Sequence, residues 1–239
     1  MLPARYDFSH DFLMNASTCS LCAIWNSSIG KKLLVALTGL VLVLFLAGHL
    51  GGNLLVFVSE KAFNDYAKSL HELLHGAGVW IARVVLLTCL VIHVVATISL
   101  TRMNRAASPK YMHEKTIQAS RSSLIMIWSG LTILAFVIFH ILHFTVRVDS
   151  GLAEIAKTNP HKMVIVGFSN GLVVLFYAVA MTMLCSHLSH GVASIFQTLG
   201  LRSKKSAPMI AFVSKAYALL IWVGFLSIPV AIYLFKFGR

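Results

Sequence analysis

Residues Leu33–Val58 read LLVALTGLVLVLFLAGHLGGNLLVFV and contain no Asp, Glu, Lys or Arg. A helix needs about 20 predominantly apolar residues to cross the hydrocarbon core of a bilayer. This stretch meets that requirement in both length and polarity. It therefore predicts a transmembrane helix.

Four more apolar runs of similar length follow, and each is bounded by polar or charged residues. They are residues 77–100, 124–146, 164–190 and 209–235. The chain of 239 residues is 58% hydrophobic and 12% charged, whereas soluble domains are about a quarter charged. We predict an all-α integral membrane bundle of five transmembrane helices, a single domain over residues 1–239 in which residues 1–30 form an N-terminal segment.

The 20 Lys and Arg residues give the chain a formal net charge of +12. They lie between the apolar runs rather than along one amphipathic stripe, which argues against nucleic-acid binding. A cytoplasmic N-terminus places 12 of them in inner segments and 7 in outer ones, in keeping with the positive-inside rule. We therefore predict that residues 1–30 are cytoplasmic and that the C-terminus is outside. The first outer loop, Ser59–Gly76, is too polar to span, and it is either a short surface helix or a plain loop.

Six of the 11 histidines lie in or at the end of the apolar runs. They are His49, His93, His140, His143, His187 and His190. A single membrane histidine is most often a polar residue that is hydrogen-bonded across the bundle. Ionisable groups inside a membrane are nevertheless candidates for function, and the spacing of these histidines adds information.

The first and third runs share a frame that places two histidines at one depth. His49 follows Gly39 by ten residues, and His140 follows Gly130 by ten residues. Ten residues rise about 15 Å along a helix, and both helices run outward. The frame thus pairs His49 with His140 in the outer half of the membrane and selects His140 over His143.

The second and fourth runs lead inward and carry their histidines late, at His93 and at His187 or His190. Depth alone does not decide whether His187 or His190 pairs with His93. Two pairs of imidazoles at two depths suit two stacked haems. An iron held by two imidazoles is six-coordinate and favours electron transfer over oxygen binding.

The runs contain no carboxylate. This absence argues against a zinc or copper site and against a proton-coupled transporter. Arg83 is a basic residue inside the second run, six residues from its start. Its guanidinium is expected either to bind a propionate of the outer haem or to snorkel to the outer headgroups.

With four histidines on four of five spans, the chain resembles the diheme, five-helix cytochrome b membrane anchor of succinate:quinone oxidoreductases, which comprise succinate dehydrogenases and fumarate reductases. The resemblance extends over nearly the whole chain from Trp25 onward. The stretches that carry it are SSIGKK (27–32), GHLGGNL (48–54), RMNR (102–105), ASR (119–121), WSG (128–130), FHILHFT (139–145), HLSHG (187–191) and FQTLG (196–200).

This resemblance implies two haem b groups, with His49 and His140 as axial ligands of the outer haem and His93 and His190 as ligands of the inner one. It also implies cytoplasmic partners, a flavoprotein subunit that oxidises succinate and an iron–sulfur subunit that feeds the inner haem. Electrons would then reduce a membrane quinone, with menaquinone expected, in a bacterial-type inner membrane. This subunit would not act on succinate itself.

One position departs from the fumarate-reducing members, which carry a glutamate in the first outer loop. The matching stretch is Phe63–Tyr66, with Asn64 in place of that acid, which favours succinate oxidation. The alternatives are the same cytochrome in a fumarate reductase, a stand-alone transmembrane cytochrome, a transporter or channel whose histidines line a polar path, and a structural anchor without cofactor.

Overall fold

A computed structural model describes residues 24–107 and 118–239, with the side chains of 24–106 and 126–239. These residues are largely helical and include no strand. Five long helices are apolar enough to cross a membrane, which confirms the predicted all-α bundle. The long helices are α1 (Ser28–Leu54), α3 (Ala77–Ala107), α4 (Gln118–His140), α7 (Gly171–Thr198) and α8 (Ala207–Leu234), and the short ones are α2 (Glu60–Glu72), α5 (Ser150–Thr158) and α6 (Pro160–Gly167).

We call the end of the bundle at which α1 finishes and α3 and α7 begin the upper end, and the opposite end the lower end. The short helices α2, α5 and α6 gather at the upper end. α2 begins where the Ser59 hydroxyl accepts a hydrogen bond from the Ala62 N–H at 3.0 Å, as an N-cap does. Of the two predictions for Ser59–Gly76, the surface helix is therefore the correct one.

The fourth long helix begins seven residues later than predicted. Val164 belongs to α6, which ends at Gly167. α7 then begins at Gly171, because the Asn170 side chain accepts a hydrogen bond from the Leu172 N–H at 2.9 Å and caps a new helix. The apolar run is thus shared between two helices, and its polar break lies at Ser169 and Asn170.

The long helices pack closely in some pairs and leave gaps between others. α3 packs against α1, α4 packs against α7, and α7 and α8 make the most extensive contact, while α1 also contacts α7 and α8. In the described residues, neither α1 with α4 nor α3 with α7 is a closely packed pair. Side chains that meet across these two gaps therefore do so without close backbone contact.

The contact between α1 and α8 fixes the rotation of α1. Leu50 is 4% exposed and lies so close to Gly224 that a Cβ there would be 2.7 Å from its Cδ1. His49, the residue before Leu50, lies beside Phe225, with 5.7 Å between ring centroids. At a separate point of the same interface, the Tyr217 hydroxyl donates a hydrogen bond to the Val43 carbonyl at 2.6 Å.

Candidate functional site

The first pair of histidines faces across the gap between α1 and α4. The ring centroids of His49 and His140 are 5.8 Å apart, and the ring planes are nearly perpendicular at 84°. The two residues lie at one level of the bundle, as their common spacing from Gly39 and Gly130 predicts. We call His49 and His140 the upper pair.

The upper pair lies among aromatic rings. Phe45 stacks on His49 at 5.1 Å, and Phe225 contacts the same ring. Phe136 and Phe144 contact His140 at 5.7 and 5.8 Å. The Asn53 amide nitrogen lies 3.4 Å from both ring nitrogens of His49 and donates to the His49 carbonyl at 2.7 Å. An amide nitrogen cannot accept a hydrogen bond from the ring N–H.

Unlike His49, His140 has a hydroxyl group beside its ring that can accept a hydrogen bond from the ring N–H. The hydroxyl of Tyr177, on α7, lies 3.1 Å from Nδ1 of His140 and 3.1 Å from Nδ1 of His143. Both histidines reach the same oxygen because they are three residues apart, where α4 passes into the π-helical turn Ile141–Val146. π-helical turns of this kind often lie at functional sites.

His93 on α3 is held from the neighbouring helix α1. The Thr38 hydroxyl lies 3.1 Å from Nδ1 of His93 and donates its own proton to the Leu34 carbonyl at 2.6 Å. Because that proton is already used, the hydroxyl accepts from the imidazole, and the His93 proton lies on Nδ1. Gly39 permits this approach, since a Cβ there would be 3.2 Å from Cε1 of His93.

His187 on α7 is held in the same way from α4. The Ser129 hydroxyl lies 3.3 Å from Nδ1 of His187 and donates to the Met126 carbonyl at 3.2 Å. Ser129 is 1% exposed, and Gly130 is next to the same imidazole, with a Cβ position 3.9 Å from Cε1. Both His93 and His187 therefore carry the proton on Nδ1 and keep the lone pair of Nε2 free.

The structure brings His187 rather than His190 to the level of His93. His93 and His187 each lie sixteen residues after the start of their helix, at Ala77 and Gly171. His190 is exposed, and its Nδ1 bonds to the Ser186 carbonyl of its own helix at 3.1 Å. No described contact joins His190 to His93. We call His93 and His187 the lower pair.

The distance between the lower and upper pairs follows from a residue spacing that α1 and α4 share. Thr38 precedes His49 by eleven residues, and Ser129 precedes His140 by eleven residues. Eleven residues rise about 16 Å in a helix, which sets the distance along the bundle axis between the lower and upper pairs. The pattern is repeated on α1 and α4.

Arg83 lies ten residues before His93 on α3, and about 15 Å of helical rise places it at the level of the upper pair. Its guanidinium lies over the Trp80 ring, 4.9 Å from the ring centroid. This is the geometry of a cation–π contact. No described contact joins Arg83 to a histidine.

Asn64 belongs to a structural network at the upper end. Its amide donates to the Asn159 side chain at 3.1 Å and accepts from the His161 N–H at 2.9 Å. Asn159 in turn donates to Glu60 at 2.7 Å. These bonds fasten α2 to α6, and they use both ends of the Asn64 amide.

The donor set limits what the histidines can hold. Within the described residues, no three His, Cys, Asp or Glu side chains converge as a metal site. Structural zinc takes four protein ligands, and catalytic zinc takes three. A pair of imidazoles on opposite sides of a gap suits an iron whose remaining ligands come from a flat macrocycle, as in a bis-histidine haem.

Sequence reasoning named the histidines but missed their hydroxyl partners, Thr38, Ser129 and Tyr177. A signal for the first two was present, because each immediately precedes the glycine of the common frame. No comparable signal marks Tyr177, which reaches the site from another helix.

Comparison of the chain with protein-family models, with curated proteins and with solved structures finds no match.

Proposed function

We propose that the chain is the diheme cytochrome b membrane anchor of a succinate dehydrogenase and carries electrons from an iron–sulfur subunit to a membrane quinone. The observation that supports this most strongly is the arrangement of four imidazoles at two levels of the bundle. His49 and His140 face each other with 5.8 Å between ring centroids. His93 and His187 are oriented by Thr38 and Ser129, which lie eleven residues before His49 and His140.

The spacing within the upper pair fits a shared metal. Imidazole–metal bonds in proteins are about 2.0–2.1 Å long, so two in-line imidazoles place their ring centroids about 6 Å apart. The observed 5.8 Å between the centroids of His49 and His140 is close to this value.

His49 and His140 would hold the upper haem. For the lower haem, the geometry favours His93 with His187, whereas the resemblance to the family suggests His93 with His190. Thr38 and Ser129 orient the first of these pairs and hold each proton on Nδ1, so that both Nε2 atoms are free to bind iron. Each haem, when bound, supplies a one-electron Fe(III)/Fe(II) couple.

The remaining side chains orient the cofactors and exclude water. The rings of Phe45, Phe136, Phe144 and Phe225 surround the upper pair and give it an apolar setting, which tunes the potential of a haem. Arg83 lies at the right level to pair with a propionate of the upper haem after it leaves the Trp80 ring.

In the proposed orientation, the lower end faces the cytoplasm of a bacterial-type inner membrane, as the distribution of basic residues favours. The flavoprotein and iron–sulfur subunits would dock there, and electrons would pass from the lower haem to the upper one. A quinone, with menaquinone as the expected species, would be reduced in the membrane.

The side chain of Asn64 supports succinate oxidation over fumarate reduction within this proposal. An amide that is hydrogen-bonded at both ends cannot exchange protons as a glutamate would. An Asn64→Glu variant would lose the donor to Asn159, one of the bonds that fasten α2 to α6, and would set a carboxylate against the Asn159 side-chain oxygen.

The direct test is a dithionite-reduced minus oxidised spectrum of the protein purified from membranes. We expect low-spin b-type bands and two haems per chain by haem extraction. A colourless protein would contradict the proposal. It would favour a transporter or channel whose histidines line a polar path, or a structural anchor without cofactor. Co-purification of a flavin-containing subunit then separates the membrane anchor of a dehydrogenase from a stand-alone cytochrome.

A further inference from the structure

Tyr177 joins two histidines of α4 through one hydroxyl group. Its oxygen lies 3.1 Å from Nδ1 of both His140 and His143. The side chain is 6% exposed and lies perpendicular to Phe136 and Phe168, each 4.9 Å away between ring centroids. This packing holds the hydroxyl at a fixed point between the two imidazoles.

A phenol carries one proton, so Tyr177 donates to one imidazole and accepts from the other. The ring of His140 faces His49, whereas no described contact joins His143 to His49. An imidazole that binds a metal through Nε2 carries its proton on Nδ1 and must donate from there. His140 therefore donates to Tyr177, and Tyr177 donates to His143.

Resting on the two-haem function above, we propose that Tyr177 is a positioning residue that selects the ligating tautomer of His140 and strengthens its bond to the upper iron, with His143 as the acceptor that sets the direction of the hydroxyl. A hydroxyl that donates to one partner becomes a better acceptor for another, so the three groups reinforce each other.

The Tyr177 hydroxyl should change the reduction potential of the upper haem alone. A hydrogen bond from Nδ1–H of a metal-bound histidine raises the basicity of the ligand. A more basic imidazole stabilises ferric over ferrous iron and lowers the reduction potential. The lower pair does not contact Tyr177 among the described residues, and its potential is independent of this hydroxyl.

The test is potentiometry on the full-length Tyr177→Phe protein, purified from membranes with both haems. Phenylalanine keeps the ring packing and removes only the hydroxyl. We expect the ratio of oxidised to reduced upper haem at a fixed potential to fall by roughly two- to tenfold, the range that one hydrogen bond allows. For a one-electron couple the larger value is a rise of about 60 mV. The lower haem should titrate as in the parent protein.

Tyr217→Phe is the matched control, because it removes the hydroxyl of a half-buried tyrosine that also bonds across helices, to the Val43 carbonyl. We expect both haem potentials to stay unchanged in this variant. Retention of both haems at unchanged potentials in Tyr177→Phe would overturn the proposal, and so would the loss of both haems. Loss of the upper haem alone would support it, since the lower haem would report an intact bundle.

The variant His143→Leu tests whether His143 accepts a hydrogen bond from Tyr177 or is itself a ligand of the upper haem. We expect this variant to keep both haems and to raise the potential of the upper one by less than Tyr177→Phe does. Loss of the upper haem from His143→Leu, with its retention in His140→Leu, would make His143 the ligand and overturn the assignment. A parent protein without haem contradicts the proposed function itself, and that outcome is visible before any variant is made.

Discussion

The lower and upper histidine pairs differ in how firmly their imidazoles are held. In the lower pair each ring bonds to a hydroxyl on the helix packed against its own, Thr38 for His93 and Ser129 for His187. In the upper pair, His140 has Tyr177. The His49 ring lies between phenylalanines, and its polar neighbour, the Asn53 amide nitrogen, cannot accept its N–H. The lower pair is thus symmetric and fixed, and the upper pair is fixed on one side only.

This difference shows how one bundle can give two chemically similar sites different properties. Histidines that bind metals usually donate their second N–H to a partner, which fixes the ring and raises its basicity. Three of the four imidazoles meet this condition, and His49 does not. The upper site therefore has the more adjustable ligand, and we expect its haem to have the higher potential.

The largest expected effect is the loss of one haem. His49→Ala or His140→Ala should remove the upper haem and leave the lower one, because the two pairs lie about 16 Å apart along the bundle and share no ligand. Haem extraction should give one haem per chain, and the spectrum should retain the features of the lower haem. Loss of both haems from either variant would contradict pairing by level.

The second prediction separates His187 from His190. His187→Ala should remove the lower haem, because the imidazole that Ser129 orients is the one at the level of His93. His190→Ala should keep both haems, since this exposed ring bonds to its own helix. The two variants form a matched pair on one helix, and haem content per chain is the measurement. The reverse result would restore the ligand set that the family resemblance implies.

The smallest expected effect comes from Thr38. Thr38→Val keeps the shape of the side chain and removes the acceptor for Nδ1–H of His93, which should raise the potential of the lower haem by up to about 60 mV. Thr38→Ser keeps the hydroxyl and should leave the potential unchanged. A redox titration monitored at the lower-haem band compares the two. Equal shifts in both variants would mean that the hydroxyl does not act on His93.

Local sequence patterns were sufficient to predict the membrane spans, because uninterrupted apolar length is itself the physical requirement. The depth of His49 and His140 was also predictable, since both lie on uninterrupted helices that start in the same direction. The start of α7 was not, because Ser169 and Asn170 interrupt an apolar run without changing its average polarity. That shift of seven residues is also why depth could not choose between His187 and His190.

Contacts between helices cannot be predicted from such local patterns. Tyr177 is 37 positions from His140, and the rotation of α7 that brings them together depends on packing against α4 and α8. Asn64 illustrates the same limit, because its position in the sequence corresponds to a glutamate of the fumarate-reducing members, whereas its hydrogen bonds join the short helices α2 and α6.

The packing of the long helices has a consequence for how the protein is assembled. α3 packs against α1 and α4 packs against α7, whereas α1 with α4 and α3 with α7 are not closely packed pairs among the described residues. His49 and His140 lie on the first of these loosely packed pairs, and His93 and His187 lie on the second. A group bound between His49 and His140 ties α1 to α4, and one bound between His93 and His187 ties α3 to α7. The cofactors would then hold together helices that do not pack closely by themselves. The supply of haem during membrane insertion would therefore decide what fraction of the protein becomes resistant to proteases.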